Sequence, residues 1–185
     1  EQYAVGLKRL YMATLFQMTY PGVPSVYYGD EMAMQGFKDP YNRRPFPWQD
    51  KVHEDVHHTF AQMICTRNAH MALLPLTAEG DIIAYARVIE GGHDMFGEDA
   101  KDEVFVALFN RSTREKHAVT VDVSDFADGT FCEVFHKENT YETATGKLSV
   151  KMPPLTGMLL EHCKKPRHYE RKAGILLHPT SLPSK

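Results

Sequence analysis

Tyr20-Pro21-Gly22-Val23-Pro24-Ser25-Val26-Tyr27-Tyr28-Gly29-Asp30-Glu31 holds the sharpest change of character in the chain. Before it, residues 2–19 carry Val5, Leu7, Leu10, Tyr11, Met12, Leu15, Phe16 and Met18 at helical spacing, on more than one face. A helix apolar over so much of its circumference is buried in something large. The Pro21–Pro24 run breaks it. Residues 25–28 then read as a short apolar strand ending at Gly29, of the kind buried on both faces in a parallel sheet. Asp30 and Glu31 stand just past its C-terminal end.

Downstream, residues 32–50 form a long polar loop, Lys38-Asp39-Pro40-Tyr41-Asn42-Arg43-Arg44-Pro45-Phe46-Pro47-Trp48 among them. Loops of more than ~12–15 residues are more often functional than passive. A second helix is expected over 53–73, with Val56, Phe60, Met63, Ile64 and Met71 on its apolar face and Pro75 ending it. The period then changes. Residues 81–89, 103–110, 117–123, 130–136, 147–152 and 158–162 are short β-rich runs separated by turn residues, as in an antiparallel sandwich. In the second run Val104, Val106 and Leu108 alternate with Phe105, Ala107 and Phe109, so both faces are apolar and the strand is central.

With 43% apolar and 24% charged residues, the 185-residue chain has an ordinary globular balance. A net charge of −3 gives no footprint for nucleic acid. No apolar run approaches the ~18 residues of a membrane span. Three cysteines without close spacing argue against a disulfide scaffold or a Cys-x-x-Cys metal site, and fit a reduced, cytoplasmic protein. Cys65 and Cys132 read as small core residues. From Lys164 onward six basic residues face one acid, Glu170, which suggests a linker and the start of another unit.

Several constellations could carry chemistry. His53-Glu54-Asp55-Val56-His57 matches the H-E-x-x-H zinc motif, but no third ligand follows, and Glu54 and Asp55 suit the positive end of a helix dipole. The acidic loop 90–102 lacks the residue order of an EF-hand. His136, His162, His168 and His178 have no spacing that suggests a shared metal, so no metal site is assigned. Asp30 and Glu31 cannot be the facing acid pair of a glycosidase, because adjacent strand residues point to opposite faces. One would face a site and the other would be structural. The loop places Asp39 and Arg43 four residues apart, with Tyr41, Arg44 and Trp48 nearby. Carboxylate, guanidinium and aromatic face together are what hold a sugar. The same residues also suit an ion-paired surface loop with Trp48 packed beneath.

The segment 21–31 closely resembles the eighth-strand motif of the α-amylase family of glycoside hydrolases. The loop 39–48 resembles the segment that follows it in the neopullulanase, cyclomaltodextrinase and maltogenic-amylase branch. The resemblance covers about residues 1–163. It implies an α+β chain: the last helix–strand–helix of a (β/α)₈ TIM barrel over 1–76, then an all-β antiparallel sandwich over 77–163. Asp39 and Arg43 would bind glucose units on the non-reducing side of the cleaved bond. Glu31, with Tyr28 and Asp30, would support the strand's end. The family's catalytic carboxylates belong to strands four, five and seven, which would precede residue 1, so no catalytic residue is assigned here. No cofactor is implied, and any calcium would belong to that preceding part.

Arg171-Lys172-Ala173-Gly174-Ile175-Leu176-Leu177-His178-Pro179-Thr180-Ser181-Leu182-Pro183-Ser184 resembles the opening strand of 4-α-glucanotransferase. Residues 164–185 are thus expected to be a linker and the beginning of a fused transferase. The implied partner is an α-glucan or maltooligosaccharide, with no nucleic acid and no membrane. An uncovered barrel remnant would be prone to self-association. The competing reading is a non-catalytic carbohydrate-binding or scaffolding β-module. The only tryptophan, Trp48, lies outside the sandwich, which weighs against an aromatic platform there.

Overall fold

A computed structural model describes residues 2–49, 53–67 and 71–163. The expected linker and transferase strand at 164–185 lie outside the described residues. The elements are α1 (Gln2–Thr19), a 3-10 turn (Asp30–Met32), α2 (Glu54–Cys65), β1 (Ala72–Glu79), β2 (Ile82–Ile89), β3 (Glu103–Asn110), β4 (His117–Asp122), β5 (Thr130–Glu133), β6 (Thr140–Ala144), β7 (Lys147–Met152) and β8 (Thr156–Cys163). The strands make one antiparallel sheet of eight, in the order β1-β2-β3-β8-β5-β6-β7-β4. Its ends, β1 and β4, come into contact, so the sheet is nearly barrel-shaped. The two layers of the expected sandwich are therefore continuous, joined through β5, β6 and β7.

Alternation along the strands builds two cores. Ala84, Ala86, Val88, Val104, Val106, Leu108, Val119, Val121, Phe131, Leu148, Val150, Met152 and Leu160 fill the inside of the curled sheet. The opposite faces of β2, β3 and β8 present Tyr85, Ile89, Phe105, Ala107, Phe109 and Leu159 to Leu15 and Met18 of α1. Gly157 permits this docking: a Cβ there would stand 3.0 Å from Leu15 Cδ2 and 3.2 Å from Phe109 Cδ1. Strand β3 is buried on both sides, as its double apolar alternation requires.

Five expectations need correction. Residues 25–28 form no strand. A parallel-sheet strand takes its hydrogen bonds from neighbours, and none lies beside it among the described residues; the Ser25 carbonyl accepts instead from Gln17 Nε2. The observed order at this end is helix, extended segment, helix. The second helix stops at Cys65, not 73, and Pro75 sits inside β1. That strand is at the sheet's edge, where proline is tolerated, and its register shifts between Pro75 and Thr77. It also runs across the expected boundary at 76/77.

Cys65 is exposed, because the helical period turns it away from the Val56, Phe60 and Met63 face. Finally, Cys132 and Cys163 form a disulfide, Cα–Cα 6.4 Å. The pairing Cys132↔Glu161 and Thr130↔Cys163 between β5 and β8 sets them diagonally across adjacent strands. Titration with a thiol reagent under non-reducing denaturing conditions should find one thiol, Cys65, and three after reduction. Three without reductant would contradict the pairing.

Tyr85 ties α1 to the sheet. The Thr19 hydroxyl donates to the Leu15 carbonyl at 2.7 Å, so the Tyr85 hydroxyl donates to Thr19 Oγ1, at 2.6 Å. Burial pushes the Tyr85 phenol up to about 12. In the folded state the proton is held where the unfolded chain, at its ordinary ~10, has lost it. The contribution is thus complete below pH ~10 and is lost as pH rises through about 12. Unfolding free energies from urea titrations between pH 9 and 12 should fall, by up to about 3 kcal/mol. The fall should be shallower in Tyr85→Phe, and equal slopes would contradict the assignment.

Candidate functional site

The site is built on the segment after α1. Gly29 adopts φ 94°, and a side chain there would strike the Met34 sulfur. This sharp turn closes with Met32 and Met34 amides donating to the Gly29 carbonyl at 3.1 and 2.9 Å. Glu31 folds back so that its Oε2 accepts the Gly29 amide at 2.8 Å. Its carboxylate is thereby engaged in holding the turn. Asp30 is half-buried at the rim of an open cleft of about 870 Å³, with Tyr3, Leu7, Leu10 and Met34. Desolvation, and then the Glu31 charge, raise its pKa above the usual carboxylate value.

The loop that follows is pinned at two places. Tyr28 donates its hydroxyl to the Arg44 carbonyl at 3.0 Å, tying the loop to the segment before the turn. Gly36 lies against Asn42, whose Cα would be 3.3 Å from any Cβ at Gly36. Between these points, Tyr41 and Arg43 amides donate to the Lys38 and Pro40 carbonyls at 3.0 and 3.1 Å. The resulting turn brings Arg43 Nε to Asp39 Oδ1 at 2.8 Å, with both side chains mostly exposed. Such a pair adds ~0–1 kcal/mol to stability, so its arrangement is free to serve binding. A carboxylate accepting and a guanidinium donating side by side match two neighbouring hydroxyls of one sugar.

Trp48 is 86% exposed, with its ring 4.7 Å from that of Phe46; it does not pack beneath the loop. Tyr41 is 70% exposed. His53 touches Tyr3, whose hydroxyl lies 3.3 Å from the imidazole. Among the described residues no cluster of three or more His, Cys, Asp or Glu could hold a metal. The structure thus brings Asp39 to Arg43 and Tyr28 to Arg44, and leaves Asp30 and Glu31 with separate roles. Gly36 and Asn42 were not singled out by the sequence: a glycine needed for a backbone approach looks like any loop glycine.

No family model matches the chain. In sequence it is 35% identical over 162 residues to an amylopullulanase of Thermoanaerobacter thermohydrosulfuricus, covering 84% of this chain and 11% of the relative. It is 29% identical over 157 residues to neopullulanase 2 of Thermoactinomyces vulgaris, covering 80% of this chain and 25% of the relative. The similarity supports kinship with the α-amylase family of glycoside hydrolases.

Among solved structures, a Nostoc punctiforme debranching enzyme superposes with TM-score 0.61 at 26% identity, over 83% of this chain and 31% of that one. An α-amylase of Geobacillus thermoleovorans, complexed with acarbose, superposes with TM-score 0.67 at 17% identity, over 84% and 33%. The latter shows the fold alone: the eight-stranded sheet matches the β domain of α-amylase-family neighbours. The chain spans about a tenth of the length of the amylopullulanase it matches.

Proposed function

We propose that this chain is one end of an α-amylase-family enzyme acting on starch, glycogen or maltodextrin, by hydrolysis or transfer at α-1,4-glucosidic bonds. Residues before β1 are the last part of a (β/α)₈ catalytic barrel, and β1 to β8, Ala72–Cys163, are its β domain. Asp39 and Arg43 bind glucose hydroxyls; Glu31 holds the turn beneath them, Tyr28 anchors their loop, and Asp30 supports the site from the cleft rim. The catalytic carboxylates come from chain outside these residues, and retaining chemistry through a covalent intermediate would be theirs. Residues 164–185 begin a 4-α-glucanotransferase unit. The observation that carries the reading is the exposed Asp39–Arg43 pair, 2.8 Å apart, on a loop anchored by Tyr28.

Titration with maltotriose, followed by NMR of the 185-residue chain, tests it. Saturable shifts confined to the 36–48 loop are expected, and are lost in Asp39→Ala. Shifts centred on the β domain instead would favour the carbohydrate-binding module. Exposed Val23, Phe37, Tyr41 and Trp48 support self-association through the 1–76 face, which size-exclusion chromatography over a concentration series would reveal. A cytoplasmic location implies free Cys132 and Cys163 thiols in cells. A cystine retained after acid quenching places the chain in an oxidising compartment.

A further inference from the structure

Arg87 lies on the α1-facing side of β2, between Tyr85 and Ile89, and is only 7% exposed. Its Nε is buried without a hydrogen-bond partner. Leu73 and Phe105 flank it on the neighbouring strands. Two acids share its face: Glu103, diagonally across on β3, and Glu161, beyond Phe105 on β8. Neither forms an ion pair with it among the described residues. The carbonyls that end α1 are already occupied. Arg67 donates to those of Gln17, Met18 and Tyr20 at 3.4, 2.9 and 3.2 Å, and to that of Gly22. Burial, and then the Arg67 charge, lower the Arg87 pKa. Two guanidinium groups therefore share one corner with no counter-ion among the described residues. A buried charge of this kind is costly unless it is paired, and a guanidinium pairs best with a carboxylate.

We infer that Arg87 is the anchor for an aspartate or glutamate side chain carried by polypeptide outside these 185 residues, seated on the corner where α1 ends against β2. This rests on reading the chain as one end of a longer enzyme; the chain spans about a tenth of its amylopullulanase relative. Exposed Phe16, Tyr20 and Val23 at the same end of α1 supply apolar surface around the charge.

Sodium acetate serves as the probe, against sodium chloride at equal ionic strength, with the 185-residue chain. The Arg87 Nε–H resonance should shift saturably with acetate and not with chloride. Arg87→Met should raise the melting temperature in chloride by roughly 3 °C and abolish any extra stabilisation by acetate. If the variant does not fold, the wild-type resonance decides. No acetate-specific shift, or a lower melting temperature in a folded Arg87→Met, overturns the inference. So does a Glu103→Gln variant that alone moves the Arg87 signal, because the partner would then be internal. Maltotriose shifts read on the same sample keep this outcome separate from the sugar-binding reading.

Discussion

Phe131→Ala is expected to lower the stability of the β domain by about 3–5 kcal/mol, much of what a domain of this size has. Phe131 is fully buried in the core inside the curled sheet. It lies on β5, paired with Tyr141 on β6 and His162 on β8, where the sheet turns from one layer into the other. Truncation there leaves a cavity at the joint, and strands hydrogen-bonded on both sides cannot collapse into it. Phe131→Leu keeps most of the volume and should cost less than half as much. Urea midpoints by circular dichroism check both. A loss under 1 kcal/mol for the alanine variant would mean that the two layers are stabilised independently.

On the proposed function, Arg43→Ala is expected to lower kcat/KM on maltooligosaccharides by roughly 10–100-fold in a longer enzyme containing this chain, the worth of one charge-assisted hydrogen-bond set. Asp39→Ala should do the same. The double variant should lose little more than either alone, because each side chain orients the other across 2.8 Å. Melting temperature should stay nearly constant, since the exposed pair holds nothing together. Additive losses, or a parallel loss of stability, would make the pair a structural clasp instead.

Much of this was legible in the residues, and the gaps have physical causes. Glu103–Asn110 and Lys147–Met152 are strands at their expected limits, because each carries an alternation that only a strand satisfies. Strand β6 escaped notice: Thr140–Ala144 is short and polar, with Tyr141 and Thr143 only half-buried. Its place is fixed by a two-residue turn, Thr145 and Gly146, both at positive φ, the geometry of a tight hairpin. Ala72–Leu74 reads as helix by propensity and becomes strand because β2 offers an edge to pair with. The Cys132–Cys163 bond could not be read from a separation of 31 residues, since the β5–β8 pairing creates it.

At the site, Asp39 and Arg43 were visible from their spacing, while the anchors that aim them, Tyr28 on the Arg44 carbonyl and Gly36 against Asn42, involve backbone that no side-chain pattern reports. Arg87 was not legible in the sequence: a lone arginine in an apolar strand looks like a surface residue, and the structure shows it buried with its Nε unpartnered among the described residues.

The most direct measurement is maltodextrin turnover by the purified 185-residue chain beside that of a longer enzyme containing it, each with and without Asp39→Ala. The account predicts no turnover by the chain alone, and turnover by the longer enzyme that falls sharply with Asp39→Ala. Turnover by the isolated chain that Asp39→Ala abolishes would contradict it, as would a longer enzyme indifferent to the substitution.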